Sequence, residues 1–159
     1  MKRLAPLVLL ITFLFAGCQA KNYTPELPLT FEQKATVTSG DFSFDCEICK
    51  TDEKVRVTVL STNASGMVMT CDGEKLGFVF GDYAHSVNCA QFERSNTAVV
   101  IYETVRYLTE TENIEAEKTE SGYRYNGKIS LGDFVLTQND DNTLGTLTVR
   151  SADYKIEFK

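Results

Sequence analysis

Short runs of alternating apolar and polar residues, separated by turn signals, dominate the chain after residue 30. In "DFSFDCEIC" the side chains of Phe42, Phe44 and Ile48 share one face at a period of two, which is typical of a half-buried β-strand. The pair Asp72-Gly73 lies between two such runs and favours a tight hairpin turn. Turn signals that recur every eight to twelve residues or so indicate an antiparallel sheet, here of about ten strands.

One stretch, "SNTAVVIYETVRYLTE", departs from this alternation. Ala98, Ile101, Val105 and Leu108 recur at spacings of three and four, which is one stripe of an amphipathic helix. Its Thr, Val and Ile content favours a strand, whereas its length without a turn signal favours a helix. We predict a helix at about residues 96–109. Because a lone helix must bury its stripe, the predicted fold is mainly β (α+β), a curved antiparallel sheet packed on one long helix.

The first eighteen residues, "MKRLAPLVLLITFLFAGC", have a different pattern. A basic pair precedes an apolar run that is too short to cross a hydrocarbon core of about 30 Å as a helix, as in a secretory signal. "FAGC" resembles the bacterial lipobox, in which the cysteine thiol receives a diacylglyceryl group, cleavage follows, and the new N-terminus is acylated, typically with palmitate. The sequence therefore predicts a lipoprotein signal peptide at 1–17, lipidation of Cys18, and a membrane-anchored protein that faces outside the cytoplasm.

Residues 18–30 contain two prolines and little periodicity, and we interpret them as the lipidated N-terminus and a tether. Residues 31–159 are then a single antiparallel β domain with one helix. The chain carries 16 Lys+Arg and 22 Asp+Glu, a net charge of −6, and two of its cations lie in the signal peptide. This acidity disfavours nucleic-acid binding and electrostatic attraction to anionic lipid. The acidic run at 110–120 is interpreted as a solvated face.

Cys46, Cys49, Cys71 and Cys89 allow four interpretations. In a regular meander Cys49, Cys71 and Cys89 would fall in one row, two strands apart. That spacing of roughly 9.5 Å exceeds the 7 Å or so that a disulfide tolerates between Cα atoms, unless the sheet curves, bulges or frays. Disulfides with three possible pairings, buried free thiols, a Cys₄ zinc site with irregular spacing, and a redox C-x-x-C all stay open.

Catalytic signatures are not evident in the sequence. His85 is the only histidine, so a multi-histidine metal site is excluded, and a surface position is expected for it. The chain has no G-x-S-x-G, no H-E-x-x-H and no nucleotide-binding glycine loop. We therefore predict no enzymatic activity and no cofactor.

The order of the segments resembles a known group of proteins. A lipobox, "LTFEQKATVTSGDFSF", "MTCDGEKLGFVF", a helix and "GYRYNGKISLGDFVLTQNDDNTLGTLTV" look like certain monoderm bacterial lipoproteins. These in turn are similar to the LolA-like and mycobacterial LppX-like lipid carriers. The resemblance implies a half-open barrel with a helix in its concavity and a lipid as ligand. Only Cys18 matches a functional position of that group.

Large apolar side chains on the predicted inward face either fill the core or line a crevice for an acyl chain. The candidate ligand-lining residues are Phe42, Phe44, Met67, Met69, Phe78, Phe80 and Tyr102. The first hypothesis is a module that binds a lipid or another apolar ligand, which predicts a cavity of at least about 300 Å³ between helix and sheet. The alternative is a structural or partner-binding module of the cell envelope, with a closed core and an exposed apolar patch or unpaired edge strand.

Overall fold

A computed structural model describes residues 27–91, 96–112, 114 and 116–159, which form one antiparallel sheet of eleven strands and one α-helix. The strands are β1 (Phe31–Ser39), β2 (Phe42–Lys50), β3 (Val55–Val59), β4 (Val68–Cys71), β5 (Lys75–Phe80), β6 (Tyr83–Asn88), β7 (Ala116–Thr119), β8 (Gly122–Ile129), β9 (Gly132–Asn139), β10 (Leu144–Val149) and β11 (Tyr154–Phe158). The helix, α1, is Thr97–Glu110, and short 3₁₀ turns lie at Cys89–Gln91 and Arg150–Ala152. The predicted fold class is confirmed. The signal peptide, Cys18 and most of the tether lie outside the described residues.

Two meanders make up the sheet, whose strand order is β6-β5-β4-β3-β2-β1-β11-β10-β9-β8-β7. The N-terminal meander (β1–β6) and the C-terminal meander (β7–β11) join where the first strand pairs with the last, with Val37 opposite Ile156. Helix α1 follows β6 and precedes β7, and it contacts β3 and β4 as well as β8. Since those strands are far apart in the sheet, one helix can touch them all only if the sheet curves around it. The face that carries α1 is therefore concave.

The predicted helix is confirmed to within one residue at each end. Of its predicted stripe, Ala98, Ile101 and Leu108 are buried and Val105 is half-buried. Thr104 is buried as well, and its hydroxyl donates to the carbonyl four residues earlier at 2.7 Å, so the polar group is satisfied inside the core. Among the described residues no helix is long and apolar enough to span a bilayer. Tertiary burial of the stripe thus overrides the strand preference of its β-branched residues.

Strand β7 is the element that the sequence pattern does not predict. It lies in the acidic run at 110–120 and pairs with β8, with Lys118 opposite Tyr123. The Lys118 ammonium contacts the Asp140 carboxylate at 2.6 Å and lies 4.3 Å from the centre of the Tyr123 ring. A four-residue edge strand of mostly polar residues has no apolar alternation, so its sequence pattern is the same as that of a solvated segment. The acidic run is therefore partly a strand and not only a solvated face.

The predicted row of three cysteines is wrong by one position of register. Cys49 lies opposite Arg56 as expected, but Arg56 lies opposite Thr70 and not Cys71. Cys71 lies opposite Val55 instead, so its side chain is on the concave face and that of Cys49 is on the convex one. A slip of one residue moves a side chain to the other face of a sheet.

Candidate ligand-binding crevice

A crevice of about 250 Å³ opens on the concave face at the N-terminal end of α1. Its walls are the β1–β2 hairpin, the β3–β4 connection and the first residues of the helix. The described residues that line it are Val37, Ser39, Phe42, Phe44, Val59, Thr62, Ala64, Met67, Met69, Asn96, Thr97 and Tyr154. Its volume is slightly below the expected minimum, and it lies beyond the helix end and not beneath the helix.

The hairpin wall follows from strand alternation. Phe42 lies opposite Ser39, and Phe44 lies opposite Val37, so all of these side chains point to the concave face. The two phenylalanine rings are tilted against each other, with their centroids 5.8 Å apart. Gly40 at φ 57 allows the tight turn that brings the strands together. Phe42 nevertheless stays 57% exposed, which is unusual for a phenylalanine that faces the inside of a sheet.

The β3–β4 connection forms the second wall, and backbone hydrogen bonds hold it in place. The amide of Gly66 donates to the Val59 carbonyl at 2.8 Å, and the amide of Met67 donates to the Ala64 carbonyl at 2.9 Å. Val59 also donates to the Met67 carbonyl at 2.9 Å, which extends the β3–β4 ladder up to the loop. Backbone hydrogen bonds therefore hold Ala64 and Met67 at the crevice, and the side chains of both residues also pack against the core.

The N-terminus of α1 forms the floor. Asn96 caps the helix, since its side-chain oxygen accepts from the Ala98 amide at 2.9 Å, and its side-chain nitrogen donates to the Met69 sulfur at 3.1 Å. The Thr97 and Tyr154 hydroxyls form a buried hydrogen bond of 2.8 Å. Burial raises the pKa of Tyr154, so its hydroxyl stays neutral. The polar groups of the floor thus bond to one another.

The charge of the crevice limits what can bind there. Each of the described residues that line it is uncharged. A charged ligand group placed inside would lose its hydration without gaining a counter-ion, which is costly. The arrangement suits an apolar, uncharged ligand segment whose polar end stays in solvent.

Two other depressions flank the C-terminal half of α1, and both are polar. One, of about 290 Å³, is lined by Leu29, Lys50, Asp52, Tyr102, Val105, Arg106, Thr109 and Glu110. The other, of about 470 Å³, is lined by Glu103, Arg106, Tyr107, Glu110, Thr111, Lys128, Ile129 and Ser130. Within the first, burial lowers the pKa of Lys50, whose ammonium donates to the Thr51 carbonyl. Charges of both signs line each depression, so neither suits an apolar ligand.

The structure brings together some of the residues that the sequence analysis proposed as ligand-lining. Phe42, Phe44, Met67 and Met69 all line the crevice. The other three, Phe78, Phe80 and Tyr102, do not line this crevice. Phe78 and Phe80 are on β5, beyond β4, and Tyr102 is on the far side of α1, where it lines the smaller polar depression. Tyr102 lies against Gly73, where an added Cβ would be 2.5 Å from its hydroxyl oxygen.

Several crevice residues were not identified from the sequence. Tyr154 comes from the last strand and meets the crevice because β11 pairs with β1, with Tyr154 opposite Ser39. A pairing between the two ends of a domain leaves no local signal. The N-cap role of Asn96 does have a sequence signal, because an asparagine directly before a helical stripe is a typical N-cap.

The cysteines do not converge on one site. Among the described residues no three His, Cys, Asp or Glu side chains are close enough to hold a metal ion, so the structure does not assemble the Cys₄ set. Cys46 is fully buried, and burial raises the pKa of its thiol to about 12. His85 lies on β6 and is exposed.

Comparisons with known proteins give similarity in structure only. No protein-family model and no curated protein matches the chain. Among solved structures, it is similar to a LolA superfamily protein from Nitrosomonas europaea, at 10% identity over 87% of either chain and with a TM-score of 0.43. A similarity of this size bears on no functional detail.

Proposed function

We propose that this chain is a membrane-anchored extracytoplasmic lipoprotein whose domain binds an apolar ligand segment, such as one acyl chain, in the crevice at the N-terminus of α1. The observation that supports this proposal is that uncharged residues line the crevice and that part of its apolar wall is exposed to solvent. Phe42 on the hairpin wall remains 57% exposed, while Met69 on β4, which also lines the crevice, is 5% exposed. A ligand that covered Phe42 would remove this apolar surface from water, at about 25 cal/mol per Å².

The size of the crevice restricts the ligand. A volume of about 250 Å³ lies just under the range of ordinary small-molecule pockets, which begins at about 300 Å³. One acyl chain fits this space better than a whole phospholipid does. Each buried methylene contributes about 0.8 kcal/mol, so affinity increases with chain length until the crevice is full.

The lipobox-like "FAGC" supports the anchoring half of the proposal. A diacylglyceryl group and an N-acyl chain on Cys18 would hold the chain stably to a membrane, because two or more acyl chains suffice for this. Leu27 already packs against the domain core, so the eight residues between Cys18 and Leu27, which make nine Cα–Cα steps, allow a separation of at most about 30 Å. The crevice would then work close to a lipid surface.

The binding half is tested with a twelve-carbon fatty acid as probe, added to the full chain and followed by native mass spectrometry and by competition with a fluorescent fatty acid. Ala64→Trp places a large ring in the crevice, and we expect it to weaken binding at least tenfold. Ala84→Trp is the matched control, since Ala84 is exposed on β6 and lies outside the crevice. Equal affinity in both variants, or binding by neither these nor the parent chain, would contradict the proposal.

The anchoring half is tested separately by detergent phase separation. When the full chain, including its N-terminal segment, is expressed in a bacterium, it should enter the detergent phase. The variant Cys18→Ser should enter the aqueous phase. Cys49→Ser is the control and should behave as the parent chain does. Recovery of the parent chain in the aqueous phase would overturn the anchor without affecting the crevice.

The exposed edge of the N-terminal meander favours a second candidate, the structural or partner-binding module. Strand β6 ends the sheet, and along it Tyr83 is 85% exposed, next to Phe80 at 47%. No described strand pairs with the outer edge of β6, and such an edge with exposed aromatics is suited to pairing with a strand of another protein. Tyr83→Lys would abolish such pairing and leave fatty-acid binding unchanged, so the two candidates are separable.

A further inference from the structure

We propose that Cys71 and Cys89 form a disulfide that fastens the end of β6 to β4, and that Cys46 and Cys49 remain thiols. Of the three possible pairings of the four cysteines, the geometry favours this one. The Cys71 and Cys89 sulfur atoms lie 3.6 Å apart, and both side chains lie over the concave face. Oxidation would require the sulfurs to approach by only about 1.5 Å, to the usual bond length near 2.05 Å.

The two cysteines meet because the chain leaves the sheet at the second one. Residues on next-nearest strands are normally too far apart for a disulfide. Strand β6 ends at Asn88, however, and Cys89 begins a 3₁₀ turn. The Cys89 amide donates to the Glu74 carbonyl at 2.8 Å, which fixes the turn against the start of β5.

The partner cysteine is equally fixed. Cys71 ends β4 directly before the Asp72-Gly73 turn. The Asp72 carboxylate accepts from the amides of Glu74 and Lys75 at 2.9 and 2.7 Å, which locks that turn. Both sulfurs are thus held by backbone that the disulfide would not need to move, so little strain is expected.

The reaction needs an oxidant, and an external disulfide, either small or carried by a protein outside the cytoplasm, supplies it. The more accessible Cys89 thiolate attacks that disulfide, releases one external thiol and leaves a mixed disulfide. The Cys71 thiolate then attacks the Cys89 sulfur, forms the Cys71–Cys89 bond and releases the second external thiol. The two cysteines lose two protons and two electrons, and the external disulfide is reduced to two thiols.

Burial makes the second step dependent on pH. Cys71 is 1% exposed, and burial raises the pKa of its thiol to about 12, against a hydrogen bond from the Gly73 amide. Since the thiolate is the attacking species, ring closure should be slow near neutrality and accelerate as the pH rises. Once the bond has formed, the same burial shields the Cys71 sulfur from external thiols, which can reach the disulfide only at Cys89.

Peptide mapping of the full chain tests the pairing without any substitution. Trypsin places Cys71 on peptide 57–75 and Cys89 on peptide 76–94, whereas Cys46 and Cys49 share peptide 35–50. After incubation with oxidised glutathione, thiol blocking with N-ethylmaleimide and digestion without reductant, we expect a cross-linked 57–75/76–94 species and a doubly alkylated 35–50. Dithiothreitol should convert the cross-linked species into its two peptides.

Variants give an independent measurement. Oxidation should raise the Tm of the parent chain by about 10 °C, and this shift should be lost in Cys71→Ser/Cys89→Ser and retained in Cys49→Ser. Full alkylation of 57–75 and 76–94 after oxidation, or a link that involves 35–50, would overturn the proposal. Neither outcome depends on whether the crevice binds a ligand.

Discussion

The two meanders of the sheet have the same alternation of apolar and polar residues, but the exposure of their inward-facing side chains differs. In the C-terminal meander the inward side chains of Tyr125, Phe134 and Leu147 are at most 2% exposed. The Phe134 ring meets Tyr107 of α1 edge-on, with ring centroids 5.5 Å apart. In the N-terminal meander Ile48, Val57 and Leu76 are fully buried as well, but the inward-facing Phe42 is 57% exposed.

The position of the helix accounts for this difference. Residues in the second half of α1 cover β8 and β9, where Gly127 is so close to Tyr107 that an added Cβ would be 2.4 Å from its ring. The helix begins at Thr97, and none of the described residues forms a helix over the concave face beyond that point. In the described part of the chain, the sheet is wider than the helix, so it is closed where the helix lies and open where the helix ends. The apolar pattern alone therefore does not distinguish core from crevice.

The largest expected effect tests this contrast directly. Phe134→Ala removes a fully buried ring from the closed half and should lower the free energy of unfolding by about 4 kcal/mol. Phe44→Ala removes a half-buried ring at the crevice, where water already reaches part of the site, and should cost about 1.5 kcal/mol. Urea denaturation of both variants measures the difference. Equal losses would mean that the crevice wall is as well packed as the core.

A smaller effect comes from the buried thiol of Cys46, which lies on β2 in the N-terminal meander. Burial raises the pKa of Cys46 from 9.0 to about 12. Between these values the unfolded chain releases the thiol proton and the folded chain retains it. Stability is therefore complete below pH 9 and falls as the pH rises, by up to about 1.4 kcal/mol per pH unit.

Cys46→Ala should remove that slope, as measured by urea denaturation of the oxidised chain between pH 8 and pH 10. Val57→Ala is the matched control, because it truncates an equally buried side chain on β3 but removes no titrating group. It should lower stability at every pH and leave the slope unchanged. A slope that survives Cys46→Ala would show that other groups cause the alkaline loss.

Local pattern was enough to predict the helix, the hairpin turn and every strand except β7, because each of these depends on neighbours in sequence. The period of two in β2 and the stripe of Ala98, Ile101 and Leu108 are such signals. The pairing of β1 with β11 has no local signal in the sequence, and this pairing alone places Tyr154 in the crevice. Alternation gives a side chain's face but not its distance from the end of the helix, so it could not show that Phe78 and Phe80 lie outside the crevice.

The smallest expected effect compares the two ends of α1. At the crevice end, Asn96 both caps the helix and binds the Met69 sulfur, and it is 8% exposed. Asn96→Ala should lower the free energy of unfolding by about 1 kcal/mol.

At the other end, the exposed Thr109 hydroxyl donates to the Arg106 carbonyl, and Thr109→Ala should change stability by less than about 0.5 kcal/mol. Because Asn96 also forms the crevice floor, Asn96→Ala should weaken fatty-acid binding, whereas Thr109→Ala should not. Thermal denaturation with and without the fatty acid measures both effects in one experiment. If both variants lost stability and binding equally, the crevice would not depend on where the helix begins, and the contrast between the open and closed halves would need another cause.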